Sequence, residues 1–220
     1  MKSLNLPIHY SQPTILPQDV AAVEKVLTSG WVAGNGPETK RFEDAIAEFT
    51  GFKHAIAVCN ATAGLFIASS WYLANSTKLK WAFVPTLTFV ATANVVHMQG
   101  IKIKFADADP VLKTCQTFDV SVSYGGYPLM GNGLIADDAH YIHENMSKLG
   151  DYKCRVISTH AVKPLGNSGE GGVILTNDDN FARYAIEYRN HGRNEQGLTT
   201  FPGMNFRWTD IQAALALSQL

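Results

Sequence analysis

Arg155-Val156-Ile157-Ser158-Thr159-His160-Ala161-Val162-Lys163-Pro164-Leu165-Gly166-Asn167-Ser168-Gly169-Glu170-Gly171-Gly172 runs from a short strand-like segment through a loop of small residues into a second apolar run at Gly172–Leu175. Its one lysine lies just beyond a strand end. Burial there would disfavour the ammonium form and leave a neutral amine able to attack a carbonyl. A plain surface lysine is the simpler reading, because most lysines are exposed. The glycines also invite a phosphate-loop reading. The Gly-Lys-Ser/Thr order that such a loop needs is absent, and no G-x-G-x-x-G follows a strand.

Outward from this stretch the same pattern recurs. Short apolar, β-branched runs lie at Ala55–Val58, Trp81–Val84, Lys102–Ala106, Phe118–Val122 and Leu134–Ala136, besides Arg155–Ser158 and Gly172–Leu175. Several are apolar on consecutive residues, as strands buried on both faces of a largely parallel sheet must be. Helical patterns separate them. Thr39–Phe49 places Phe42, Ala45, Ile46 and Phe49 on one face, Phe66–Leu73 is helix-compatible, and Asn177-Asp178 are good capping types ahead of Asp179–Tyr188. Alternating strands and helices predict an α/β fold: a mostly parallel seven-stranded sheet with helices on both faces, in three layers. In such folds ligands sit at the carboxyl ends of strands.

Composition narrows the function classes. The 220 residues are 46% hydrophobic and 17% charged, enough to bury a core. Lys and Arg number 18 against 19 Asp and Glu, so no global field favours nucleic acid or an anionic membrane. Cys59, Cys115 and Cys154 are odd in number and scattered, which suggests reduced thiols. Met1–Pro7 has no apolar leader core, and no run approaches a membrane span. A soluble, cytoplasmic protein is expected.

The other strand-end loops add candidates. Cys59-Asn60-Ala61-Thr62-Ala63-Gly64-Leu65 is small and polar ahead of a helix, where free backbone N–H groups bind phosphate; taken alone, an ordinary capped helix is the preferred reading. Pro85-Thr86-Leu87-Thr88-Phe89-Val90-Ala91-Thr92 offers Phe89, which can stack on a planar ring or simply enter the core. Asp137-Asp138-Ala139-His140 puts an acid at a buried strand end, which is costly without a cationic or hydrogen-bonding partner. A protonated pyridine nitrogen would be such a partner; a capping Asp or a metal site are the alternatives. A metal has only His143 and Glu144 nearby to complete it.

In this order the loops make the chain recognisable. It resembles the DegT/DnrJ/EryC1/StrS family of sugar aminotransferases that depend on pyridoxal 5'-phosphate (PLP). The resemblance lies in Gly30-Trp31-Val32, Gly36-Pro37, Phe42-Glu43, Thr50–Ala55, Pro85–Asn94, Asp137–His140, Ser158–Lys163, Gly169–Gly172, Arg189–Gly192 and Asn205-Phe206-Arg207. It implies the PLP-dependent transferase fold of type I and a role for each matching residue. Lys163 falls where the family has its Schiff-base lysine, Asp137 where an acid pairs with the pyridine nitrogen, and His140 at the position beside the ring hydroxyl. Phe89 matches the stacking aromatic, Ala61 and Thr62 the phosphate-binding turn (usually Gly-Thr), and Ser158 a phosphate-binding serine. Asn205 matches an asparagine that reaches the neighbouring subunit's phosphate, implying a homodimer.

The implied activity moves an amino group from an amino acid, glutamate in most of the family, to a keto group of a nucleotide-linked deoxysugar, as in polysaccharide biosynthesis. Lysine at position 163, where related dehydratases carry histidine, favours transamination. The expected organisation is an N-terminal segment at 1–15 and a PLP-binding large domain at 16–220. The family's C-terminal small domain is expected to be absent, and the segment between Ala106 and Asp137, with Asp109-Pro110, is shorter than usual. A second reading stays open: a PLP-fold chain that binds cofactor or a partner without turnover.

Overall fold

The computed structural model describes residues 13–74, 80–107, 119–166 and 169–220. Most of the expected N-terminal segment, Asp109-Pro110, Cys115, Phe118 and Asn167-Ser168 lie outside the described residues. Seven strands follow in chain order: β1 (His54–Val58), β2 (Trp81–Pro85), β3 (Lys102–Ala106), β4 (Val120–Val122), β5 (Asn132–Asp138), β6 (Asp151–Ser158) and β7 (Gly172–Thr176). Six α-helices accompany them: α1 (Pro17–Ser29), α2 (Pro37–Thr50), α3 (Ala61–Ser69), α4 (Val90–Met98), α5 (Asp179–Tyr188) and α6 (Asp210–Leu217).

Each apolar run of the sequence contributes a strand, Phe118–Val122 through Val120–Val122 among its described residues, and α5 has the expected bounds. The helix expected from Phe66 starts earlier. Asn60 caps it by accepting the Ala63 amide at 2.8 Å, and it ends in a π-helical turn at Ser70–Ala74.

The sheet departs from the expected single seven-stranded arrangement. Five strands pair in the order β1-β7-β6-β5-β4, and β2 and β3 pair separately. The pairs β4–β5, β5–β6 and β2–β3 are parallel, whereas β7 runs antiparallel to both neighbours. Beside β4, Asp119 meets Phe83 of β2 through both its main chain and its side chain. Its amide donates to the Phe83 carbonyl at 3.2 Å, and its carboxylate accepts the Phe83 amide at 2.8 Å.

Strand alternation divides the core into two layers. Ile56 and Val58 of β1, Ile135 of β5, Cys154 and Val156 of β6 and Ile174 of β7 pack with α3, α4 and α5. Ala55, Ala57, Ile157, Val173 and Leu175 face the other way, onto Phe42 and Ile46 of α2, Trp208, and Ala213 and Ala216 of α6. Every residue of β7 is buried, as a strand covered on both faces requires. Among the described residues no helix is long and apolar enough to cross a membrane.

Candidate active site

The pairing of Val58 and Ser158 with Gly172 brings the carboxyl ends of β1 and β6 to the amino end of β7. β4 and β5 run parallel to β6, so their carboxyl ends lie there too. A cavity of about 350 Å³ opens at this end of the sheet.

One wall is the start of α3. Ala61 and Thr62 are its first two residues, and no carbonyl lies a turn earlier to receive their amides. The helix sits unusually close to the sheet. A Cβ on Gly172 would lie 2.5 Å from the Ala61 nitrogen, and one on Gly64 would lie 2.9 Å from Val156 Cγ1. Both glycines are what this approach demands. Ser158, the last residue of β6, lines the same cavity, with its Oγ accepting the His160 amide at 3.3 Å.

The opposite requirement, for a cation, comes from Asp137 on β5. Its side chain is buried and points to the α3–α4 face, where Thr92 Oγ1 donates to Oδ2 at 2.6 Å and the Ala139 amide donates to Oδ1 at 3.1 Å. Burial pushes its carboxyl up to about 6; the two hydrogen bonds and Lys163 pull back, while Asp138 adds to the rise. Lys163 lies in the loop after β6, its amide donating to the His160 carbonyl at 2.8 Å. Burial pulls its ammonium below the usual lysine range, and Asp137 opposes that shift. A greater share of neutral amine follows.

His140 accepts the Gly125 amide on Nδ1 at 3.2 Å, so its ring proton, when it carries one, sits on Nε2. Burial and then Lys163 lower its basicity and keep it neutral. Phe89 caps α4, is 65% exposed, and accepts the Thr92 amide on its carbonyl at 3.1 Å. Among the eight residues singled out from the sequence, Ala61, Thr62, Phe89, Asp137, His140, Ser158 and Lys163 line this cavity. Asn205 is not among the lining residues. It is exposed and forms a bridge with Asn190.

The structure adds residues with no assigned role in the sequence. Thr92 holds Asp137, Tyr124 sets its ring 5.5 Å from that of His140, and His160 meets Glu170 at 3.5 Å on the cavity wall. Thr92 and Glu170 lie in stretches that carry the family resemblance, Pro85–Asn94 and Gly169–Gly172, but nothing in the sequence assigned a role to either. Among the described residues no group of three or more His, Cys, Asp or Glu is placed to hold a metal.

An amine-bearing loop and a buried acid at the carboxyl ends of a largely parallel, helix-covered sheet define a class, the PLP-dependent aminotransferase fold. Within that class the chain belongs to the DegT/DnrJ/EryC1/StrS aminotransferase family, whose profile matches residues 13–121 and 134–220. Among solved structures it resembles Helicobacter pylori PseC, an aminotransferase involved in the biosynthesis of pseudoaminic acid, at 28% identity and a TM-score of 0.82. That match covers 96% of this chain and 64% of PseC. The aminotransferase TlmJ from Streptoalloteichus hindustanus matches at 27% identity and a TM-score of 0.81, over 96% of this chain and 65% of that one. A Streptococcus pneumoniae protein in its PLP-form shares the fold at 19% identity and a TM-score of 0.80, over 97% and 66%. The chain thus spans slightly less than two thirds of the length of these structures.

The family is PLP-dependent, and the donor set fits that cofactor. Helix amides and a serine suit a phosphate, a buried carboxylate suits a ring-nitrogen cation, and an amine of lowered basicity suits an aldehyde.

Proposed function

We propose that this chain is the PLP-binding large domain, residues 16–220, of an aminotransferase. It would take an amino group from an amino acid, glutamate being the family's usual donor, and deliver it to a keto group of a nucleotide-linked deoxysugar. Lys163 would hold the cofactor as a Schiff base. The carrying observation is a single cavity that joins unpaired helix amides, a buried acid short of a cation, and a lysine of lowered basicity. Similarity to PseC and TlmJ, both aminotransferases, supports the reaction, and the part of PseC in the biosynthesis of pseudoaminic acid supports a sugar acceptor.

When bound, PLP supplies an electron sink for the charge that develops at the donor's Cα. The protein's work is placement and proton movement. Ala61, Thr62 and Ser158 would bind the phosphate, Phe89 would stack on the ring, and the neutral His140 would donate from Nε2 to the ring oxygen. Asp137 would hold the proton on the ring nitrogen, and the Lys163 amine would carry the proton at Cα. Asn205 acts in a neighbouring copy of a homodimer, and the enzyme works in the cytoplasm.

The test is the absorbance spectrum of the full chain with PLP, before and after glutamate. A visible band that glutamate bleaches, and that Lys163→Ala lacks, is the expected result. The same band in Lys163→Ala, or none in the wild type, overturns the Schiff-base assignment. A band indifferent to glutamate would mean a chain that binds the cofactor without turning over.

A further inference from the structure

Thr92 is fully buried in α4, and its two polar groups serve two different parts of the cavity. Its amide donates to the carbonyl of Phe89, the residue that caps the helix. Its hydroxyl donates to Asp137 Oδ2 at 2.6 Å, across the contact between α4 and β5. The other carboxylate oxygen takes the Ala139 amide. Each Asp137 oxygen therefore takes one donor from the protein, and the group cannot swing without breaking a hydrogen bond.

We propose that Thr92 is a positioning residue for the cofactor: its hydroxyl sets the Asp137 carboxylate in the orientation that meets the ring nitrogen, while the same helical turn places Phe89. This rests on the reading of the cavity as a PLP site. A hydroxyl that donates can stabilise the carboxylate but offers the neutral acid much less, so Thr92 also helps keep Asp137 ionised against the cost of burial. The other groups that act on Asp137 are Lys163 from the loop after β6 and Asp138 beside it on β5, with His140 on the same cavity wall. α4 brings only His97, in its last turn. None of these replaces a donor on Oδ2.

The alternative is a plain tie between helix and sheet, in which the methyl and the shape matter and the hydroxyl is merely satisfied. Isosteric and conservative variants separate the two. PLP is titrated by absorbance into the full-length wild type, Thr92→Val, Thr92→Ser and Asp137→Asn, and into the Thr92→Val/Asp137→Asn double variant, from about pH 5 to 8, alongside thermal unfolding of each. Thr92→Val is expected to bind PLP about tenfold more weakly near neutral pH, with the acid limb of binding moved up by about one pH unit. Thr92→Ser is expected to restore both. In the Asp137→Asn background the valine should move no acid limb.

A serine variant as impaired as the valine, a valine variant identical to the wild type, or a shift that persists without the Asp137 carboxylate would each overturn the proposal. Should the valine protein not fold, Thr92→Ala against Thr92→Ser makes the same comparison of hydroxyl with none. A wild type that binds no PLP sinks the parent reading; a wild type that binds while the valine variant is unshifted sinks only the role of Thr92.

Discussion

The two faces of the sheet solve the same electrostatic problems in opposite ways. Asp137 and Asp138 are neighbours on β5, so alternation sends one carboxylate to each face. On the α2–α6 face, Asp138 meets Arg155 at 2.8 Å and takes the Ser123 hydroxyl at 2.6 Å, with acid and arginine both buried. The start of α2 is filled on that side too. Asp210 accepts the Gly36, Glu38 and Thr39 amides and the Thr39 hydroxyl. On the α3–α4 face, Asp137 has hydrogen bonds but no ion pair at contact distance among the described residues, and the first amides of α3 open onto a cavity. One face is closed by protein charges; the other leaves a place for an anion and a place for a cation. On the proposed reading, a ligand carrying a phosphate and a protonated ring nitrogen would complete it.

The largest expected effect tests the closed face. Arg155→Met leaves Asp138 buried without its cation and also removes donors to the Leu129 and Leu149 carbonyls. Breaking one member of a buried pair costs about 3–5 kcal/mol. Urea unfolding should show that loss, while Arg155→Met combined with Asp138→Asn recovers part of it. Asp137→Asn in cofactor-free protein should show no comparable loss. Equal losses for Arg155→Met and Asp137→Asn would erase the distinction between the faces.

The second effect is a pH dependence. The Asp137 carboxyl lies at about 6 in the folded chain against an ordinary 3.8, a gap of about two units. A raised folded value means the folded state holds its proton more tightly. The associated stability is present below about pH 4 and lost as pH rises through about 6, a change of roughly 3 kcal/mol at most. Cofactor-free Asp137→Asn lacks that titration. The stability difference between it and the wild type should therefore widen in its favour across this window, and saturating PLP should reverse the trend. A difference independent of pH would show that the cofactor-free chain already offsets the burial of Asp137.

This division was only partly legible in the sequence. Lys163, Asp137, Ser158 and the Ala61-Thr62 turn stand at or just after strand ends, where an α/β sheet presents its ligand, but their roles were suggested by the family resemblance: taken alone, Lys163 reads as a surface lysine and Ala61-Thr62 as an ordinary helix start. The α5 helix could be read because its cap and its spacing agree. Arg155 looked like one member of an apolar run, since its partner lies 17 residues away on the adjacent strand and only the register pairs them. Thr92 was visible only as one more threonine, because its hydroxyl acts across an α4–β5 contact that no local pattern encodes. The separate pairing of β2 with β3 is likewise a matter of strand register that no local pattern encodes.

A smaller effect probes how closely α3 approaches the open site. Gly172→Ala puts a methyl 2.5 Å from the Ala61 nitrogen and 2.7 Å from the Asn60 carbonyl carbon, which are backbone atoms with no rotamer to escape into. Overpacking of this kind costs about 1–3 kcal/mol. Here it should also displace the amides that face the cavity. Weaker binding of inorganic phosphate, in parallel with a lowered unfolding midpoint, is expected; a stability loss with unchanged phosphate binding would separate α3 from the anion site.

The smallest effect makes the open face imitate the closed one. Asn and Asp are equally good caps, so Asn60→Asp should keep the bond to the Ala63 amide while placing a negative charge at the start of α3, as Asp210 does for α2. Interaction with the helix dipole should stabilise the cofactor-free chain by about 0.3–1 kcal/mol. The same charge then repels any phosphate brought to Ala61 and Thr62. The wild type should gain thermal stability on addition of phosphate or PLP, and Asn60→Asp should gain less, despite starting higher. Opposite signs in one variant are hard to obtain from a packing defect, which would lower both. If Asn60→Asp binds phosphate as tightly as the wild type, the α3 terminus is not the anion cradle and the contrast between the two helix starts fails.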